Sequence, residues 1–255
     1  LGSVSVICSE KTGTITEGEM RVVRIVAPDH ALDFVKDHDS LTGGASKIMD
    51  ICLLCNDAAV SQGDGEQREF RGSPTERALL QAGYQAGRDV VEMKKEQARF
   101  AEVPFDSAHK YMATINEWEE GTALLFKGAP EIVLASSTFV EVGGEQKPID
   151  QKQKEELEKK AGALTEEGLR LIAVAYKPIK KKDQIEEVDH QALVFLGFVC
   201  LRDPLRKEAQ EQIRIAKEAG VRTVVITGDH PKTAQAIGRE AGIVTSDEQV
   251  VTGAL

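Results

Sequence analysis

Apolar positions follow two different patterns along this chain. At the start, Val4, Val6 and Ile7 lead into the small polar run SEKTGTIT, which reads as a strand-to-loop edge of the kind that carries active sites. Toward the end, ALVFLGFVCL (192–201) and VRTVVIT (221–227) are continuously apolar strands. Each precedes a helical pattern, the first capped by Asp203-Pro204 and expected to run to Gly220, the second opened by Pro231. This alternation predicts a parallel sheet with right-handed crossovers. The opening strand is of the same buried type, so the two ends are expected to build one α/β domain around an insertion.

The middle of the chain is patterned differently. Met20 to Val26 predicts an extended segment, helical spacing runs from about Ala45 to Val60, and SQGDGEQREF reads as a polar loop. Ser73-Pro74-Thr75-Glu76 reads as a helix start, with Ser as N-cap, Pro in the first turn and Glu at the capping-box position; the helix is expected to reach about Ala86. ARFAEVPF, YMATINEW and TALLFKG are three strand patterns separated by turn residues, close enough to pair antiparallel. Pro130 opens a short helix, FVEVGGEQKPI predicts a hairpin with Gly143-Gly144 at its tip, QKQKEELEKKAGALTEEG is a charged amphipathic helix, and LRLIAVAY is a strand. The basic run Lys177 to Lys182 is followed by an acidic stretch to Asp189, which makes it a solvated linker.

The 255 residues suffice for two domains with their own cores. An apolar share of 41% and a charged share of 29% exclude disordered, collagen-like and coiled-coil classes. The formal charge of -10 argues against nucleic acid or anionic lipid as a general partner. The longest apolar run, Ala192 to Leu201, is half of the roughly 20 residues that a membrane-spanning helix needs, so no span is predicted. LGSVSVIC has no signal-peptide features and reads as a chain that begins inside a fold. Four scattered cysteines point to a reducing compartment, and Cys52 and Cys55, in a helical run with no second ligand pair, are assigned to core packing rather than to metal or redox work.

Chemistry concentrates in six segments. SEKTGTIT (9–16) resembles the D-K-T-G-T-[LI]-T phosphorylation loop of P-type ATPases, with Glu10 in place of the aspartate. GSPTERALL (72–80) is similar to that family's G-D-P-[TL]-E-x-A-L, PFDSAHKYM (104–112) to its P-F-[DNS]-S-x-R-K-x-M, and LFKGAPE (125–131) to its K-G-A-P-E. DPLR (203–206) and TGDHPKTAQAIGREAGI (227–243) resemble its hinge-side D-P-[PL]-R and its T-G-D loop. The order is the family's and the segments cover nearly the whole chain. The forms match the type II branch, which includes calcium pumps, better than the heavy-metal branch.

The resemblance implies a nucleotide-binding domain of α+β type with an antiparallel sheet, residues 17–190, inserted into an incomplete Rossmann-like phosphorylation domain of the haloacid-dehalogenase-like superfamily, residues 1–16 and 191–255. It implies ATP and Mg²⁺, a carboxylate at position 10 that receives the γ-phosphate, and Lys11 and Thr12 beside it, with Glu10 and Thr12 toward the metal. Thr227, Gly228 and Asp229 would hold the transferred phosphoryl group. Phe105 would stack on adenine, with Glu76 beside it, and Lys110, Lys127 and Gly128 would line the pocket. Arg170 would reach the phosphates, and Asp203 and Arg206 would stand at the domain interface. Each has a plainer reading: core burial for Phe105, solvated charge for the lysines, a capping box for Glu76, and an ordinary helix start for Thr227 to Asp229.

The partners implied are ATP or ADP, and the membrane helices and actuator domain of a full-length pump, with this part at the cytoplasmic face of the membrane. Three departures qualify the match. Ser107 and Ala108 occupy a stretch where animal muscle pumps carry an arginine, and His109 replaces the arginine before Lys110. No counterpart of the family's G-D-G-x-N-D loop occurs up to Leu255. Glu10 is one methylene longer than aspartate, and a displacement of about 1 Å in an oriented reaction costs on the order of a hundredfold. A non-catalytic nucleotide-binding module is therefore the rival class. A soluble phosphatase of the same superfamily is weaker, since its second aspartate would fall at Thr12.

Overall fold

A computed structural model describes residues 4–62, 68–119, 121–179, 190–228, 231–245 and 250–251. The chain divides into two compact units, Leu1–Arg21 with Gly162–Arg170 and Arg202–Leu255, and Val22–Ala161 with Leu171–Leu201.

The larger unit is built on a nine-stranded sheet. Its strands are β2 (Arg21–Val26), β3 (Ala31–Asp33), β6 (Arg99–Asp106), β7 (Tyr111–Trp118), β8 (Gly121–Gly128), β9 (Ser137–Val142), β10 (Glu145–Pro148), β11 (Arg170–Ile179) and β12 (Leu193–Arg202), while β4 (Ala59–Gln62) and β5 (Arg68–Arg71) form a separate hairpin. The sheet order is β10-β9-β12-β11-β8-β7-β6, and β2 pairs with β12 and β3. Its helices are α1 (Phe34–Asp37), α2 (Gly43–Leu54), α3 (Pro74–Gln85), α4 (Val90–Glu96), α5 (Pro130–Ser136) and most of α6 (Gln151–Glu166). β6, β7 and β8 run antiparallel as their patterns predict. The β9–β10 hairpin turns on Gly143 and Gly144, at φ +60° and +84°, the left-handed pair that a two-residue turn matching the strand twist requires.

Three local expectations change in this unit. β12 is not part of a sheet with the two chain ends: it lies between β9 and β11, parallel to β9, with nine of its ten residues buried. Continuous apolarity reports burial on both faces and does not say in which sheet. Gly197 within it permits the close passage of β2, since a Cβ there would come within 2.3 Å of the Val26 carbonyl oxygen. α2 stops at Leu54 rather than near Val60, because Asn56 Oδ1 accepts from the Ala58 N–H at 2.7 Å and turns the chain. The expected polar loop after it is the β4–β5 hairpin, whose connection lies outside the described residues. The 180–189 part of the expected linker is likewise outside them.

The smaller unit contains β1 (Val6–Glu10), β13 (Arg222–Ile226), α7 (Ala209–Glu218) and α8 (Pro231–Glu240). β1 and β13 pair in parallel, Glu10 opposite Ile226. The opening strand is exposed rather than buried, with Ile7 45% accessible. Asp203-Pro204 does not cap a helix, and α7 begins only at Ala209. The Asp203 carboxylate is already engaged elsewhere: it accepts from Thr16 Oγ1 at 2.6 Å and from the Gly18 N–H at 2.9 Å.

Candidate functional site

In the larger unit, the start of α3 supplies one side of a buried charge pair. Ser73 caps the helix by accepting from the Glu76 N–H at 3.3 Å, with Pro74 in the first turn. The Glu76 carboxylate does not complete the capping box. Its Oε1 accepts from Lys127 Nζ at 3.0 Å and from the Asp57 N–H at 3.3 Å. Lys127, on β8, is only 5% exposed, so the ammonium and the carboxylate compensate each other out of water. Asn56 fixes the same corner, its Nδ2 donating to the Cys52 and Glu76 carbonyls.

Cys52 and Cys55 are fully buried behind this corner. Burial pushes the Cys52 thiol up to about 12 against the lowering effect of Lys127, and burial raises Cys55 as well. Protonated, enclosed thiols agree with a packing role.

A second group forms where β6 turns into β7. Phe105 stands on the irregular end of β6 with 56% of its surface exposed, which removes the core-burial reading. The Asp106 carboxylate closes the turn, accepting from the Ala108 N–H at 3.1 Å, the His109 N–H at 3.3 Å and His109 Nδ1. These bonds, the Ala108 N–H foremost, hold its carboxyl below the usual range. Lys110 adopts a left-handed backbone at φ +59°. Its N–H donates to the Asp106 carbonyl at 2.7 Å and its own carbonyl accepts from the Ala129 N–H at 2.9 Å.

Gly128 has to be glycine at this crossing, because a Cβ would come within 2.7 Å of the Lys110 carbonyl oxygen and 2.8 Å of Tyr111 Cβ. Main-chain bonds thus interlock the PFDSAHK and KGAPE segments. The Lys110 side chain reaches Glu131 at 3.2 Å, both exposed.

In the smaller unit, Glu10 ends β1 and Gly13, at φ +75°, turns the loop. Thr16 closes it, its N–H donating to the Lys11 carbonyl at 3.1 Å while its hydroxyl donates to Asp203. The 203–206 segment clasps this loop: Arg206 Nη2 donates to the Gly13 carbonyl at 2.7 Å, the Arg206 N–H to Ile15 at 3.0 Å, and the Glu17 N–H to Pro204 at 2.9 Å. Because β1 and β13 are parallel, Glu10 and Thr227–Gly228 emerge at the same edge. Asp229 lies outside the described residues. Arg170 is exposed at the start of β11.

Residues 45–208 match the family model described as P-type ATPase, cytoplasmic domain N. The chain belongs to the P-type ATPases. Curated relatives extend the similarity to the whole chain. A calcium-transporting ATPase of Listeria monocytogenes is 36% identical over 255 residues, 99% of this chain and 28% of that protein. Calcium-transporting ATPase 1 of Lactococcus lactis is 34% identical over the same shares. The alpha subunit of the sodium/potassium-transporting ATPase of Drosophila melanogaster is 31% identical over 275 residues, covering 98% of this chain and 26% of the subunit. The chain thus spans between a quarter and a third of the length of these relatives. The mixed α/β architecture with an antiparallel sheet fits the P-type ATPase N domain.

Glu76, Lys127, Phe105, Lys110 and Gly128 are legible from the motifs, whereas the residues that support them are not. Asn56 and Asp57 stand outside the six segments, and Asp106 and Glu131 stand inside two of them without a role assigned. An Asx residue two or three positions before a turn was the one available signal, and Asp106 and Asn56 both use it.

Proposed function

We propose that the larger unit binds ATP or ADP for a cation-transporting pump. The observation that carries this is Phe105: a large aromatic left 56% exposed, on a turn whose backbone is fixed by Asp106 and Lys110, offers a rigid face to a purine. Lys110, with an exposed ammonium, suits the phosphate end, and Lys127 with Glu76 forms a polar floor. Calorimetry on the 255-residue chain tests the reading. ATP should bind weakly, and Phe105→Ala should lose about five- to a hundredfold, the range of one base–aromatic stack, with an unchanged circular dichroism spectrum. Equal affinity in the two proteins would remove the site.

The smaller unit is proposed as part of a Rossmann-like phosphorylation domain, with the 10–16 loop and Thr227 to Asp229 at its reaction edge and Asp203 and Arg206 holding the loop rather than the nucleotide. Arg170 is proposed as a phosphate contact. Mg²⁺ arriving with ATP fits the hard oxygen donors at the end of β1: the Glu10 carboxylate and Thr12 would hold it, the phosphates and water supplying the remaining ligands. When bound, it offsets charge on the transferring phosphoryl group. The parent protein would couple phosphorylation to cation transport, calcium being the ion named for several relatives, with this part at the cytoplasmic face beside actuator and membrane domains.

Glu10 favours a second reading, a nucleotide-binding module that does not phosphorylate. Incubated with γ-labelled ATP and Mg²⁺, the chain should retain no acid-stable label. Label trapped on Glu10 would overturn that expectation and show that the loop tolerates the longer carboxylate.

A further inference from the structure

A cavity of about 440 Å³ opens beside the C-terminal end of α2, in the larger unit. Among the described residues, neither Phe105, Lys110, Lys127 nor Glu76 lines it. Its apolar wall is Val60, Leu80, Tyr84 and Val90. The Tyr84 ring is held in place by Phe70, edge-on at 5.7 Å, and by the Arg68 guanidinium 4.4 Å from its centroid. A volume of this size accommodates a small organic molecule.

Gln97 Oε1 is buried in this lining without a hydrogen-bond partner among the described residues, and two further polar features are unfinished. Asn116 is 1% exposed; its Nδ2 donates to the Gln97 carbonyl at 3.1 Å, while its Oδ1 is buried without a hydrogen-bond partner among the described residues. A buried acceptor with no protein partner is one that a ligand's N–H or O–H would satisfy. Lys94 is the second. Its ammonium donates to the Asn56 carbonyl at 3.2 Å, and among the described residues no carboxylate pairs with it. Arg99 contrasts with it, because Asp57 at 2.7 Å and Glu102 at 2.6 Å neutralise its charge. The cavity therefore presents an ammonium with no ion-pair partner among the described residues, an unused acceptor and an apolar wall with an aromatic face. Asp57 also lines the cavity, but its carboxylate is paired with Arg99, so Lys94 leaves the lining net positive and favours an anion over a cation.

We propose that this cavity is a second ligand site, taking a small planar aromatic carboxylate that also carries an N–H or O–H donor. The ring lies on the Tyr84 wall, the carboxylate meets Lys94, and the donor meets Asn116 Oδ1. The inference does not rest on the nucleotide reading: Phe105, Lys110, Lys127 and Glu76 are not in the lining, although Asn56 and Asp57 of the cavity also bond to Glu76.

Indole-3-carboxylate is a suitable probe, followed by amide chemical shifts of the ¹⁵N-labelled 255-residue chain. Saturable shifts are expected around Val60, Tyr84, Val91 and Asn116, with a dissociation constant on the order of 0.1–1 mM for a ligand of this size. Lys94→Gln should weaken the carboxylate about tenfold and leave uncharged indole unchanged, and 1-methylindole-3-carboxylate, which lacks the donor, should bind the wild type about tenfold more weakly. Val91→Trp, at a rim position already 52% exposed, should block the site without disturbing the core. Phe105→Ala should bind the probe as the wild type does. Absence of shifts at 5 mM probe (~5 times the weakest expected constant), equal affinity in Lys94→Gln, or loss of binding in Phe105→Ala would each overturn the proposal.

Discussion

The two units contain strands of similar apolar character and hold them in opposite ways. In the larger unit β12 has nine buried positions, flanked on both sides by strands of a nine-stranded sheet. In the smaller unit β1 has none, and α7 has no buried residue. The larger unit rests on apolar burial with charge pairs such as Lys127 and Glu76 enclosed in it; the loop of the smaller unit is held by polar contacts from Asp203 and Arg206. The lesson is that the same strand pattern implies different sensitivities. Inside a wide sheet, uncompensated charge is what does damage; at a narrow one, a lost hydrogen bond is.

Lys127→Met should give the largest effect, about 3–5 kcal/mol of destabilisation of the larger unit, because it leaves the Glu76 carboxylate buried and uncompensated. Combining it with Glu76→Gln should recover most of that loss. Denaturant unfolding followed at Trp118, the chain's single tryptophan on β7, reads both values. A single variant as stable as the wild type would mean that the pair is not enclosed in solution.

Asp203→Ala comes next, at about 1–3 kcal/mol, since Thr16 Oγ1 and the Gly18 N–H lose a shared acceptor. Its signature is regional. Hydrogen exchange should accelerate at Thr16 to Gly18 and stay unchanged along β7 and β8; acceleration in both places would show that the distinction between the units is false.

Lys110→Ala should have the smallest effect, within about 0.5 kcal/mol, because its ion pair with Glu131 is exposed on both sides. Its expected consequence is weaker nucleotide binding at nearly unchanged stability, the reverse of Lys127→Met. Thermal melts alongside calorimetry distinguish the two lysines.

Much of this contrast was legible beforehand. Ser73 and Pro74 marked the start of α3, Gly143-Gly144 marked a hairpin, and the pairing of β6 to β8 followed from short, closely spaced strand patterns. Local chemistry decides these features: a cap satisfies its own helix, and a turn needs only the residues in it. The resemblance of six short segments was sufficient for the family, because motif residues are read in order along the chain.

Tertiary structure alone decided the rest. Lys127 and Lys110 look alike in sequence, yet one is enclosed and the other solvated, since burial depends on what α3 and α5 bring against β8 and its turn. Asp203 read as a helix cap and serves a loop 187 positions away. The run 192–201 announced that it would be buried on both faces but not between which strands. Hydrophobic pattern, capping and turn chemistry act within a few residues and can be read from order alone; partner choice, enclosure and charge compensation are set by distant segments that only the folded chain brings together.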